Sequence, residues 1–405
     1  MVESYWQHLA ARQSWAGVHP GYGFMPIGLH GDDGRYNQMG DRVIIVTLNM
    51  ILGRDSGRSW DSTNSDIRFF VSENLSVLAL NHWNRSYGNC SGASTFWLLD
   101  FTQAWVLMAK SLAACGKKGG NMCCLSYEGT GNGTGWKTSL TQVFERRDPV
   151  DIITTQMRPA NPLCKCFGFR PEFVRTCLMH TVHLGIIQLF NGSVFTMLGE
   201  LGWFGGETGM PEKMIILCSR FKQHSQSTMT AGMLTFEGGT YPSLNLKAYN
   251  GRLFLQYFNI VLRATLAAAT DLESALAKEL QLASSACTAL CSFLDVMERS
   301  PRQLLPEQAE KMHSAVVLFV KLYQILVLHS HRRGTAPRWK VVPKFHSLLH
   351  VAEDQRKELI NGRCYNTFLD EDYVGVFKLL CVQAPKNMLE FRCLTRYYLR
   401  VKAKR

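Results

Sequence analysis

Acidic residues are scarce in this 405-residue chain. Thirty-two Asp and Glu stand against 44 Lys and Arg, a formal charge of +12. A deficit of that size makes a polyanion the expected partner, nucleic acid first. A basic protein with no polyanionic partner is the competing reading. Long apolar runs are also missing. None reaches the roughly 18 uninterrupted residues of a membrane span. Residues 315–328 come nearest, but Lys321 and Gln324 break them. No membrane partner is expected. The N-terminus has no basic stretch leading into an apolar one, so no secretory leader is expected. Without that route the sequons at Asn74, Asn84, Asn89, Asn132 and Asn191 carry no weight. No internal repeat or low-complexity tract occurs.

What the chain does have is apolar mass, 46% of its residues, enough to bury a sizeable core. Its 13 cysteines are odd in number and dispersed, which argues against a disulfide framework and for a reducing compartment.

Pattern divides the chain into a β-rich beginning and a helical end. Residues 25–30 read as a strand that stops at the turn Gly31-Asp-Asp-Gly34, and 42–48 form a β-branched run. Residues 67–71 and 95–100 read as further strands. Residues 73–83 and 101–114 read as helices. Residues 115–171 are irregular, rich in Gly, Asn and Cys, with prolines at 149, 159, 162 and 171. Helices are expected over 272–298, from Pro306 to about 329, from Pro343 to about 359, and over 371–382, with a break at Pro385.

Three acids sit where apolar segments end. Asp32 follows Ile27-Gly-Leu-His30 at a Gly-flanked turn, with Asp33 as its rival and ordinary turn chemistry as the alternative. Asp100 closes Phe-Trp-Leu-Leu, where a helix N-cap would also use it. Glu371 lies in Asp370-Glu-Asp372 at a helix start, where acids also complement the helix dipole. Isolated carboxylates at element ends are what a two-metal phosphoryl-transfer site needs, because Mg²⁺ prefers oxygen ligands.

Taken in order, His30-Gly-Asp-Asp-Gly34, Cys177-Leu-Met-His180-Thr-Val-His-Leu-Gly185 and Leu369-Asp-Glu-Asp-Tyr-Val-Gly375 resemble the eukaryotic cut-and-paste transposases of the CACTA and Kyakuja-Dileera-Zisupton groups. The likeness spans about residues 6–380. It implies an α+β fold: an RNase H-like core with a large, mostly helical insertion between the second and third acids. By position it makes Asp32, Asp100 and Glu371 the catalytic and metal-holding DDE set. It implies Mg²⁺ or Mn²⁺ as cofactor, transposon ends and target DNA as partners, a nuclear location, and compatibility with a homo-oligomer. Cys177 and His180 match a family signature read as a pair bracing the core near the site. A zinc-binding role for Cys177, His180 and His183 is the less favoured alternative.

The resemblance divides the chain into a first core segment, 1–114, an excursion, 115–171, a helical insertion, 172–340, a return to the core, 341–385, and a basic C-terminal segment, 386–405. Departures are visible. Cys123-Cys124 and Cys164-Lys-Cys166 lack zinc-ligand spacing, and Asp32 comes early, both expected of a truncated or decayed element copy.

Arg332, Arg333, Arg338, Trp339, Lys340 and Lys344 interleave charge with an aromatic ring. That composition suits phosphate contact and base stacking; a solvated linker is the alternative. His346 and His350, four apart on one helix face, read as structural before catalytic.

Overall fold

The structure is a computed structural model that describes residues 7–8, 27–35, 42–50, 69–71, 175–206, 209–222, 233–237, 241–269, 274–334, 338–385 and 388–403. The described residues are mostly helical, with small antiparallel sheets, an α+β composition. The chain forms two compact units. One is assembled from Met1–Leu125, Glu145–Arg175 and Tyr365–Arg405, the other from Ser126–Phe144 and Thr176–Cys364.

In the first unit β1 (Ile27–Arg35), β2 (Arg42–Met50) and β3 (Phe69–Val71) pair antiparallel in chain order. The branched run of β2 favours extended backbone. Its length corrects the expected turn at Gly31-Asp-Asp-Gly34. β1 continues through those residues to Arg35, with Asp32 opposite Ile45 and Asp33 opposite Ile44. Ladder pairing to β2 overrides the local turn preference of Gly and Asp. Strands and helices expected at 73–83, 95–100 and 101–114, and the irregular stretch 115–171, lie outside the described residues.

The C-terminal part of this unit is a helix pair. α7 (Phe368–Val382) packs against both β1 and β2, and α8 (Leu389–Ala403) packs on α7 around Phe377, Cys381 and Cys393. The basic segment expected from residue 386 is thus largely helix.

Among the described residues the second unit begins with a π-helical segment, Met179–Ile186, that runs into α1 (Ile187–Glu200). Then come α2 (Met210–Lys222) and the hairpin β4 (Leu234–Glu237) with β5 (Tyr241–Leu244). Next are α3 (Ala248–Ala268), α4 (Ser274–Arg299), α5 (Pro306–Arg333) and α6 (Pro343–Glu358). Pro306 and Pro343 each sit in the first turn, where a missing N–H costs nothing. Gln308 accepts the backbone N–H of Leu305 at 3.0 Å, closing the start of α5. Gly334 ends it at φ 67°, a left-handed position that favours glycine. The helix from Pro343, which the sequence assigns to the return segment, packs on α5 and the π-helical segment inside this unit.

The core of the second unit is aromatic. Phe190, Phe319, Tyr323, Trp339 and Phe345 touch one another at centroid distances of 4.3–6.4 Å. Close approach is built in at Gly192, where a Cβ would lie 2.7 Å from the Pro242 backbone. Only glycine lets α1 meet β5 there. Near the end of the unit, Asn361 donates to the carbonyls of Met297, Ser300 and Pro301, and Leu304 N–H donates to Leu359 O. Gly362 lies against Leu178: a Cβ on it would be 2.9 Å from Leu178 Cδ1.

Three segments, Met179–Glu200, Ala275–Arg299 and Pro306–Arg333, are long and apolar enough to cross a membrane by length and composition. Much of that apolar surface is used inside the protein: 78% of the first is buried and 67% of the second.

Candidate functional site

Asp32 lies within β1, and Glu371 lies in the first turn of α7. Since α7 packs on β1 and β2, the elements that carry the first and third acids are neighbours in one unit. Both are described at the level of the backbone. Asp100 lies outside the described residues. The pairing of β1 with α7 joins segments separated by the whole helical unit, which no local sequence signal requires.

Cys177 and His180 belong to the helical unit rather than to the one that holds β1. Cys177 stands ahead of the π-helical segment, its carbonyl accepting the Thr181 N–H at 3.0 Å. From Met179 the backbone is π-helical, and Leu184 departs from helical angles (φ −92°, ψ 15°). Such insertions loosen the backbone ladder. Here the Leu184 carbonyl accepts Lys344 Nζ at 3.2 Å. Gly185 makes room for that side chain; a Cβ would fall 2.3 Å from Lys344 Cδ.

His183 is buried. Burial first, and the Arg252 charge second, pull its pKa down to about 4, against a hydrogen bond with the Ala248 backbone. It is neutral at pH 7 and packed in the core. Among the described residues no three His, Cys, Asp or Glu side chains stand together as metal ligands.

The six residues expected to meet DNA divide sharply. Trp339 is 3% exposed, and its Nε1–H donates to Glu279 Oε1 at 2.7 Å. This corrects its assignment to base stacking, since the ring is buried and packs against Phe190 and Tyr323. Arg338 is equally buried, ion-paired to Glu200 and Glu279. Arg333 pairs with the same two carboxylates. Burial raises the Glu200 pKa, but hydrogen bonds from Arg338 and Arg333 outweigh it, and the net shift is downward. Lys340 lies 5.6 Å from the Tyr241 ring centre, and Lys344 is engaged by Leu184. Arg332 alone of the six is exposed. The physical reason is that α5 runs on to Arg333 and the chain then turns into the core, so the stretch is no solvated linker.

His346 is fully buried, and its Nε2 lies 2.9 Å from His350 Nε2 with the rings edge to face. One ring donates and the other accepts, a structural arrangement on one face of α6.

Two charged residues that organise the unit escaped the sequence reading. Arg252 is 1% exposed; it pairs with Asp295 and with Glu298, the latter at 3.0 Å. Glu279 is fully buried beneath Trp339, Arg333 and Arg338. A signal for Glu279 existed. It falls at helical spacing with Leu276, Leu280 and Ala283, on the apolar face of α4. No protein-family model, curated protein or solved structure matches this chain.

Proposed function

We propose that this chain descends from a DDE-type transposase and cleaves and transfers DNA strands, with Asp32, Asp100 and Glu371 as its catalytic acids and an RNase H-like core as the fold around them. One observation carries the reading. The helix bearing Glu371 packs on the strand bearing Asp32, although the helical unit separates them in sequence. The antiparallel meander of β1, β2 and β3 is compatible with the opening of such a core. Carboxylate oxygens suit a hard divalent ion, Mg²⁺ or Mn²⁺, which supplies positive charge at the scissile phosphate when bound. The three acids would hold such an ion, and the protein's basic residues would orient the DNA backbone. Nuclear location and self-association belong to this reading.

The test is Mg²⁺-dependent cleavage of a DNA duplex by the full chain. Substituting Asp32, Asp100 or Glu371 by Ala abolishes cleavage and leaves DNA binding intact. Normal cleavage by Glu371→Ala would falsify the assignment.

A second reading is a catalytically inactive descendant that binds DNA or a protein. Its support is the apolar surface of α7 and α8, where Leu379, Val382 and Phe391 are each more than 60% exposed. Full-chain binding to DNA or protein with no cleavage under any divalent ion favours it.

A further inference from the structure

Two cysteines from different helices meet in one apolar pocket. Cys381 lies in the last turn of α7, and Cys393 lies in the second turn of α8. Their Sγ atoms are 3.5 Å apart, and both residues are buried. Leu380, Ala384, Leu389 and Tyr397 pack around them. A disulfide needs its sulfurs about 2.05 Å apart, so the approach still to be made is roughly 1.5 Å. Rotation of two side chains that already face each other can supply it. The partners stand twelve positions apart in sequence, so the link closes a short loop.

The surroundings give the two thiols different parts. Arg396 follows Cys393 along α8, and its Nη1 donates to Gln383 O at 3.3 Å, at the end of α7. Its charge favours a thiolate at Cys393, against the burial that raises both thiols. Cys393 is therefore the thiol that reacts first with an oxidant. Cys381, in contact with it, is placed to resolve the product before further oxidation makes it irreversible. A small oxidant suits a buried pair better than a bulky one.

From this geometry we infer that Cys381 and Cys393 are a redox modification site, forming a reversible disulfide that staples α7 to α8 when the protein meets a peroxide. In the first step the Cys393 thiolate takes one oxygen from hydrogen peroxide. The O–O bond breaks, a sulfenic acid forms and hydroxide leaves. In the second step the Cys381 thiolate attacks Cys393 Sγ. The S–S bond forms, the S–O bond breaks and a second hydroxide leaves. The two thiol protons convert both hydroxides to water, so one peroxide accepts two electrons from two thiols. The inference goes beyond the proposed DNA chemistry and concerns no residue of the acidic set.

The test is peptide mapping by mass spectrometry of the folded full chain after treatment with hydrogen peroxide, digested without reductant and with remaining thiols blocked. A peptide joining Cys381 to Cys393 is expected, and dithiothreitol removes it. In Cys381→Ser the Cys393 sulfenic acid has no resolving thiol and is captured by dimedone. In Cys393→Ser, Cys381 stays a free thiol over the same time. In the linked wild-type chain the α8 amides exchange hydrogen at least about tenfold more slowly than in the reduced chain, because the staple holds the pair closed. Absence of the linked peptide from the folded wild type, when the urea-unfolded chain oxidises, overturns the inference and leaves both thiols as core packing. So does a link from either cysteine to a different one, or an α8 whose exchange is not slowed by the link.

Discussion

The Trp339 indole N–H donates to Glu279 Oε1 inside the helical unit, and Arg333 and Arg338 close on the same carboxylate. Removing one partner of a buried charge network leaves the others uncompensated. Glu279→Ala is expected to destabilise the helical unit by about 3–5 kcal/mol. Urea unfolding followed by circular dichroism measures it. A loss below about 1 kcal/mol would show that water replaces the carboxylate.

The same placement separates DNA contact from folding. Arg332→Gln should weaken DNA binding and reduce the salt slope by about 0.9, the effect of one lost phosphate contact. Trp339→Phe should leave DNA affinity and its salt dependence unchanged while lowering stability by about 1 kcal/mol through the lost hydrogen bond. Fluorescence anisotropy across a salt series, run beside unfolding curves, tests both. A weaker DNA complex for a fully folded Trp339→Phe protein contradicts the buried placement.

His183 predicts an acid limit. Its pKa falls from 6.5 to about 4 on folding, so the unfolded chain binds a proton that the folded chain rejects. Its contribution is complete above pH 6.5 and is lost as pH falls from there towards about 4. The full loss is about 3 kcal/mol. Unfolding free energies between pH 7.5 and pH 4 should slope accordingly, and His183→Asn should flatten that part of the curve. An unchanged slope in the variant assigns the effect to other groups.

Cys381 and Cys393 face each other at 3.5 Å between α7 and α8. Burial, then the hydrogen bond between the Cys381 thiol and Cys393, pushes Cys381 up to about 12. Burial raises Cys393 as well, against its hydrogen bond to Cys381 and the nearby Arg396. The thiolate is the reactive form. At pH 8 a thiol of pKa about 12 is only about 10⁻⁴ ionised, so Cys381 should label with maleimide at least about 100-fold more slowly than in urea, and Cys393 should be slowed as well. Pulse labelling with mass spectrometry reads this site by site. Fast native labelling would mean that the two helices open.

Much of the helical half was legible because its punctuation is local. Pro306 and Pro343 open α5 and α6 where their fixed φ fits a first turn, and the apolar period of α4 places it within two residues of expectation. Segments whose outcome depends on distant partners were not legible. Asp32 and Asp33 look like turn residues until β2 is laid beside them, and only the ladder to Ile45 and Ile44 makes them strand. The basic stretch around Arg338 and Trp339 looks like a solvated DNA contact. Its charge is matched instead by Glu200 and Glu279, which lie far earlier in the chain. Of the proposed acidic set, the neighbouring elements β1 and α7 are in view, while Asp100 lies outside the described residues.

The contact between Leu178 and Gly362 has a consequence for how the chain is made. These residues lie close to the two ends of the Thr176–Cys364 segment, so that segment, once folded, brings its own chain ends together. The entropy of bringing distant segments together grows with the length of free chain between them. A prefolded insert removes that length. The strands β1 and β2, made before the helical unit, then wait for α7, made after it, and meet it as though across a short loop. The packing of α7 on β1 and β2 thereby follows closure of the helical unit.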